Sequence, residues 1–438
     1  MSHTPDADVD KVGENVVHGA GRRMIPSATT TVRFRLTDPE VLADPYPTYR
    51  RMQADCPLYR ERHFGWVLTR YQDVAELLRA PHLSAERPMP NDPIPRALQP
   101  IADDVRSLRQ FQSLWMLYSD PPRHTRLRAL VTAAFTPRMV ARMRTRIEQI
   151  VDSLLDGAGD AGAESLDVIA DLADPLPTTV IAELLGLPPG DRMLFKRWSD
   201  DIAAGFFLVV TRETPATVQR AYASQAALAA YLRELISQRR RSPRDDLLSA
   251  LVTAEAEGSV LSEDELLATC VLLVFAGHET TTNLIGNGVL ALLEHPDQLE
   301  RLRADPRLLP SAIEELLRFS SPVQATARRA TVDFELHGQR IRRGDFLLLL
   351  LGAANRDPAQ FVDPDVLDIG RADNRHLAFS LGPHFCLGAA LARLEAEVAL
   401  DHLLQRYPRL RLSSGAPVWR QDVFLRGLTS LLVADVAA

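Results

Sequence analysis

Cysteine is scarce in this chain, with only Cys56, Cys270 and Cys386 among 438 residues. So sparse and odd a number excludes a disulfide framework and fits a reducing cytosol, so a cytoplasmic location is expected. Any cysteine used for chemistry then works alone. Basic charge is not in excess: 50 Lys and Arg stand against 57 Asp and Glu, a net charge of −7. Nothing resembles the basic footprint of a nucleic-acid binder. Long apolar runs are missing as well. The longest, such as Phe346–Leu351, fall far short of the ~20 residues that span a bilayer. The first thirty residues carry Asp6, Asp8, Asp10, Lys11, Glu14, Arg22 and Arg23 in place of a signal peptide's apolar stretch. No membrane anchor is expected.

What the chain does have is length and helical periodicity. It is 46% hydrophobic and 24% charged, and its size would by default divide into two or three domains. One large cofactor could organise a single body instead. Residues 1–30 read as a flexible tail and 31–438 as one domain. Tyr46–Ala54 and Tyr71–Ala80 have helical texture, and Gly65–Thr69 reads as a strand. Prolines at 88, 90, 93, 95 and 100 make Pro81–Pro100 mostly loop. Beyond it, apolar residues recur at three and four over about 122–134, 137–156, 164–185, 216–240, 262–293, 309–319 and 388–405. Ser262 and Glu265 have capping-box spacing, and the apolar run Val271–Ala276 points to a helix crossing the interior. Strand-like stretches are short, at about 327–337, 340–343, 346–350, 408–412 and 428–434. The fold class is mainly α, a helix-rich body with a smaller β-sheet lobe.

The strongest local pattern is Phe379-Ser380-Leu381-Gly382-Pro383-His384-Phe385-Cys386-Leu387-Gly388, with a helix following at once. A cysteine at a helix N-terminus faces unpaired N–H groups and the positive end of the dipole, which favour thiolate. Gly382 permits a tight turn, Gly388 allows close approach of a flat partner, and Phe379 can lie against its face. An iron porphyrin held by one thiolate fits such a loop. A lone cysteine is more often a core residue; the flanking glycines and phenylalanine turn the balance.

This loop resembles the haem-binding loop of the cytochrome P450 superfamily, in its soluble bacterial form, and the resemblance extends over nearly the whole chain from Pro45. It implies a P450 fold with haem b, ligated by Cys386, between the long central helix and the cysteine loop. Ser380-Leu381 is a departure, because many bacterial members have glycine there. Ala276-Gly277-His278-Glu279-Thr280-Thr281 matches the family's oxygen-activating pattern. Gly277 makes room, a threonine can bond back to a carbonyl one turn earlier, and Glu279 with Thr280 looks like an acid–alcohol proton relay. Arg123 to Arg128 open a helix on which His124 and Arg128, four apart, share a face. They resemble the pair that holds the haem propionates. Arg328 is a third candidate, preferred to its neighbour Arg329, and His384 a fourth. Glu315 and Arg318 match the family's E-x-x-R, a structural pair. Val366 stands where a third arginine often completes the network, and Arg371 is the possible replacement.

The resemblance implies a monooxygenase that inserts one oxygen atom of O2 into a hydrophobic small molecule by hydroxylation or epoxidation, in natural-product, terpenoid, steroid or fatty-acid metabolism. No dinucleotide fingerprint occurs, so electrons are expected from a ferredoxin or flavodoxin with its reductase. Arg123, Arg126, Arg138, Arg142 and Arg144 form a basic cluster that could steer such a partner. By family analogy residues 81–118, Phe206–Val210, Val323–Thr326 and Leu428–Leu432 border the substrate. A peroxygenase or oxidative-coupling enzyme is the alternative on the same scaffold. The Glu279–Thr280 pair argues against the peroxide-driven form. A non-catalytic haem sensor would keep Cys386 without needing that pair.

Overall fold

The periodic segments form helices close to their expected bounds: Arg123–Ala134, Pro137–Asp160, Pro215–Arg241, Glu263–Glu294, Leu309–Phe319 and Ala389–Arg406. The computed structural model describes residues 33–435 except 63, 87–91, 161–165, 206–213, 257–261 and 414–415. The N-terminal tail and the Phe206–Val210 stretch therefore lie outside the described residues. Helices too polar or too short to stand out in sequence add to the body: Ala102–Gln112, Arg192–Ala204, Leu247–Ala256 and Pro296–Ala304.

The central helix, Glu263–Glu294, starts as its sequence requires. Ser262 Oγ accepts the Glu265 N–H (3.2 Å), and Glu265 Oε2 accepts the Ser262 N–H (3.2 Å). Glu265 also binds Arg126 through two contacts (3.1 and 2.7 Å) and Arg123 at 3.3 Å. One side chain thus caps the central helix and ties it to the helix Arg123–Ala134. The large core runs along this helix, taking in Val271, Phe275, Leu284 and Val289 with Leu316, Leu394 and Leu403.

The segment expected as a helix over 164–185 is broken. Leu166 and Asp167 form a strand paired antiparallel with Val433 and Leu432, followed by a π-helical turn, Val168–Ala173, and a helix from Pro175 to Leu184. Asp167 accepts the N–H of Ile169 at 3.0 Å and that of Leu431 at 2.9 Å, which holds the chain extended just where a helix would begin. Periodicity alone could not show this, because the strand's partner lies some 265 residues away.

The sheet lobe has five strands in the order Leu58–Glu61, Gly65–Leu68, Phe346–Leu350, Ala325–Ala330, Leu83–Ser84. Only the second and third run parallel. Leu68, Leu347, Leu349 and Leu77 make a second core beneath it. Leu410–Leu412 and Leu432–Asp435 complete a three-stranded sheet with Leu166–Asp167.

Candidate functional site

The cysteine loop is closed by its own backbone. Cys386 N–H donates to Phe379 O (2.9 Å), Ser380 N–H to Leu377 O (2.8 Å) and Phe385 N–H to Gly382 O (3.1 Å). Gly382 has φ +70°, and a Cβ there would stand 3.2 Å from the Leu78 carbonyl oxygen, so glycine is favoured by the backbone and a side chain would be tightly fitted. Ser380 has φ +61°; an L side chain in that region costs about 1 kcal/mol. Gly388 differs. Its φ of −82° suits any residue, and a Cβ would meet no protein atom within 4 Å. Neither backbone nor packing asks for glycine at 388, whereas a flat ligand lying against it would.

Phe379 is nearly buried and is held by Arg393, whose guanidinium lies 4.5 Å from the ring centre. Arg393 is anchored in turn by Glu314 (2.6 and 2.8 Å). Cys386 is half-buried, three residues before the helix Ala389–Arg406. Burial raises the pKa of its thiol above the ordinary value, and the Gly388 N–H and the charges of Arg128 and Arg393 offset this only in part.

On the central helix every residue from Glu265 to Leu292 is buried except Leu273, Ala276, Gly277 and Thr280. Spacings of three, four and seven put these four on one face, so a single open stripe interrupts an otherwise buried helix. Thr280 Oγ1 donates to Ala276 O at 2.9 Å, and Thr281 and Thr282 bond back in the same way to Gly277 and His278. Glu279 does not share the stripe. It is buried and paired with Arg420, an arginine that no local pattern marked. The pair borders a cavity of about 670 Å³ that also takes in Asp174, Lys196, Asp200 and Asp422. His278 turns to a third side, meeting Ser199 Oγ (3.1 Å) and Asp174 Oδ1 (2.9 Å). Asp174, Asp200 and His278 cluster closely enough to hold a metal ion, but Lys196 already supplies the positive charge there, 3.0 and 2.6 Å from the two carboxylates.

The four expected anionic-group ligands converge. The His124 ring lies 4.2 Å from that of His384. Burial lowers the pKa of His124, and the nearby charges of Arg128 and Arg328 lower it further, against a weaker opposite effect of Asp120. His124 Nε2 is buried without a hydrogen-bond partner, and Arg128 has no acidic partner among the described residues. Arg328 and Arg329 alternate along their strand: Arg328 turns inward, whereas Arg329 pairs with Asp92 (2.9 Å) and stacks on Phe346. A buried imidazole nitrogen without a partner, beside Arg128 with no carboxylate partner among the described residues, fits a group bearing carboxylates, as haem does. Among the expected substrate-bordering residues, Leu432 is half-exposed at the start of the middle strand of its sheet, while Leu428 and Leu431 are buried.

The basic cluster also divides. Arg123 and Arg126 are held by Glu265 and Arg144 by Glu397 (2.8 Å), which leaves Arg138 and Arg142 exposed and without acidic partners among the described residues. Glu315 and Arg318 form a closed knot that Arg371 joins, its Nε 3.2 and 3.1 Å from the Glu315 oxygens. Val366, where a third arginine was sought, accepts from both arginines through its carbonyl.

Comparison with known proteins agrees with this arrangement. A family model described as Cytochrome P450 matches residues 100–424. The chain is 40% identical over 406 residues to the biotin biosynthesis cytochrome P450 of Bacillus subtilis strain 168, covering 92% of this chain and 99% of that one. It is 43% identical over 397 residues to the cytochrome P450 monooxygenase PikC of Streptomyces venezuelae, covering 89% and 90%. The crystal structure of P450BioI in complex with hexadec-9Z-enoic acid ligated acyl carrier protein superposes with TM-score 0.82 at 39% identity, covering 90% of this chain and 99% of that one. Among the described residues no helix is long and apolar enough to cross a membrane.

Proposed function

Because the chain belongs to the cytochrome P450 family, monooxygenases that bind haem b through a cysteine thiolate, we propose that Cys386 is the axial ligand and that residues 31–438 act as one haem-thiolate domain. The compact unit Phe34–Ala438 supports the second part. The carrying observation is that three independent features agree. They are a cysteine loop with a glycine the protein itself does not need, an open stripe at Ala276, Gly277 and Thr280, and the convergence of His124, Arg128, Arg328 and His384, where His124 Nε2 has no partner.

In this reading the arginines and histidines hold the propionates, Phe379 and Gly382 shape the loop, and Ala276 with Gly277 leaves room over the ring. Bound haem supplies dioxygen activation, with one oxygen atom passing to the substrate. The chain's own task is to bring protons. Thr280 Oγ1, anchored on Ala276 O, is placed to hand on a proton, and the Glu279 carboxyl is placed to replenish it from the charged cavity once it parts from Arg420.

The substrate is a hydrophobic small molecule, hydroxylated or epoxidised; Leu273 and Ala276, the apolar side chains on the stripe, support this. Electrons come from a ferredoxin or flavodoxin with its reductase, docking through Arg138 and Arg142. Three cysteines without a disulfide support a cytoplasmic enzyme.

The first experiment is the carbon monoxide difference spectrum of the reduced protein. The wild type should give the strongly red-shifted Soret band of thiolate ligation and Cys386→His the band of histidine ligation. A wild-type band at the histidine position would overturn the ligand assignment. Thr280→Ala should divert reducing equivalents to peroxide; normal product yield in that variant would remove Thr280 from the relay.

A further inference from the structure

Glu279 can replenish Thr280 only if a proton reaches it, yet its carboxylate is buried and closed off by Arg420. The segment that carries Arg420 holds a second carboxyl group at the same place. Residues 420–427 form a closed turn in which Arg420 N–H donates to Gly427 O at 2.9 Å. The turn is clamped on two sides. Gln324 N–H donates to Phe424 O (2.7 Å) and Arg426 N–H to Pro322 O (2.8 Å), while Asn287 Nδ2 of the central helix donates to Arg426 O (2.9 Å). Gly427 lies so close to that helix that a Cβ there would collide with Asn283. Asn283 and Asn287 follow Glu279 by about one and two turns, so this packing sets the other end of the segment, with Arg420 and Asp422, beside Glu279.

The two oxygens of Asp422 differ. Oδ1 belongs to the turn and accepts the N–H of Phe424 (2.6 Å) and of Leu425 (3.0 Å). Oδ2 takes no hydrogen bond among the described residues. The side chain is only partly buried and borders the open cavity of about 670 Å³ together with Glu279 and Arg420. The other titratable groups around it are Asp174, Lys196 and Asp200 across the cavity, and Tyr49 and Arg426 on its far side. Lys196 is taken up by Asp174 and Asp200 (3.0 and 2.6 Å), and Arg426 donates to the carbonyls of Leu42 and Ala43. Two carboxyl groups, Glu279 and Asp422, are left with one guanidinium, Arg420. Burial raises the pKa of Asp422 above the ordinary carboxylate value. The N–H groups of Leu425 and Phe424 and the charge of Arg420 offset this in part, whereas the charge of Glu279 adds to it.

We propose that Asp422 supplies the proton with which Glu279 recharges Thr280, and that Arg420 passes from Glu279 to Asp422 as the proton moves the other way. The inference rests on the relay role of Glu279 proposed above. An O–H bond breaks at Asp422 and one forms at Glu279, while the guanidinium changes partner. One ionised carboxylate therefore faces one guanidinium before and after, which keeps the desolvation cost low. The Arg420 side chain is 35% exposed and has room to turn. Once Glu279 has given its proton to Thr280, Arg420 returns to it and Asp422 takes a new proton from solvent in the cavity. Each cycle thus carries one proton inward. Asp422 positions that proton and acts only through Glu279.

The test compares the infrared spectra of haem-loaded, full-length wild type and Asp422→Asn at about pH 6, where an ordinary aspartate is ionised. Asparagine keeps an Oδ1 acceptor for the two N–H groups but has no proton to give. Wild type should show the C=O stretch of a protonated carboxyl that Asp422→Asn lacks. Glu279→Gln should lose the same band, because Arg420 then turns to Asp422 and ionises it. A second readout is dioxygen consumption driven by a ferredoxin and its reductase in H2O and D2O, without added substrate. Asp422→Asn should be slower by about tenfold, with a larger solvent isotope effect. No carboxyl band traceable to Asp422, or persistence of that band in Glu279→Gln, would overturn the proposal. So would a wild-type rate and isotope effect in Asp422→Asn while Glu279→Gln is slowed, an outcome that leaves the relay standing. If Glu279→Gln is not slowed either, the relay itself falls and the proposal with it.

Discussion

Two groups of buried charge in this protein obey opposite rules. In the knot around Glu315, carboxylate and guanidinium are both fully buried, and every contact is internal. Arg318 meets Glu315 twice at 2.8 Å and gives its remaining donors to the carbonyls of Asn355, Pro364 and Val366. Glu315 is further held by Arg371, Asn374 and the Asp368 N–H. In the group around His124, Arg128 has no carboxylate partner among the described residues and a buried ring nitrogen has none either. The first arrangement makes sense if its purpose is to pin a helix to a loop, because a half-satisfied buried ion pair is worse than none. The second makes sense only with a ligand that brings the missing negative charge. Completeness of pairing therefore separates residues that build the fold from residues that await a partner.

Variants should respect that division. Arg318→Ala strips a fully buried carboxylate of its main partner and should destabilise apoprotein and holoprotein alike by about 3–5 kcal/mol, measured by urea unfolding of both. A loss confined to the holoprotein would erase the distinction. Arg128→Ala should do the reverse. Haem transfer to a competing apoprotein should become about ten- to a hundredfold more favourable, while apoprotein stability changes by less than about 0.5 kcal/mol.

Glu314 provides an intermediate case, since it ties the helix Leu309–Phe319 to the cysteine-loop helix through Arg393. Burial works to raise its pKa, but hydrogen bonds from Arg393 and His376 overcome this and hold it at about 2. The folded value lies below the unfolded one, so the unfolded chain takes up the proton first. The contribution is complete above pH ~4.5 and is lost as the pH falls toward 2. Glu314→Gln should therefore flatten the acid limb of a stability-versus-pH curve; an unaltered limb would refute the assignment. The smallest effect belongs to the loop itself. Ser380→Gly should relieve the left-handed backbone and, after the extra flexibility of glycine in the unfolded chain, raise stability by about 0.5–1 kcal/mol, read as a higher midpoint in thermal unfolding.

Much of the site was legible in the sequence because its parts are local. Phe379 to Gly388 and Ala276 to Thr280 are contiguous, and His124 and Arg128 are one turn apart on one helix. Arg328 could be preferred to Arg329 only by counting along the chain. In the structure, strand alternation separates them, since residues one apart face opposite sides. Arg420 was invisible. It lies 141 residues from Glu279, beside a two-residue strand, and nothing in its surroundings marks it. The pairing within the basic cluster was hidden for a related reason. Five arginines in one stretch look alike in sequence, yet Glu265 holds two of them from the far side of the fold.

By itself, then, the sequence determined what repeats or sits close along the chain: helices with a buried stripe, the capping box at Ser262, the turn at Gly382 and the cysteine that follows it. Spacing on one element dictates direction, and direction is enough to recognise these parts. Only the tertiary structure decided which charges are paired and which remain available. That depends on partners brought together from 50 to 300 residues away, such as Arg371 for Glu315, Glu265 for Arg126 and Arg420 for Glu279. A buried charge is defined by what stands opposite it, and the chain supplies that neighbour only once it has folded.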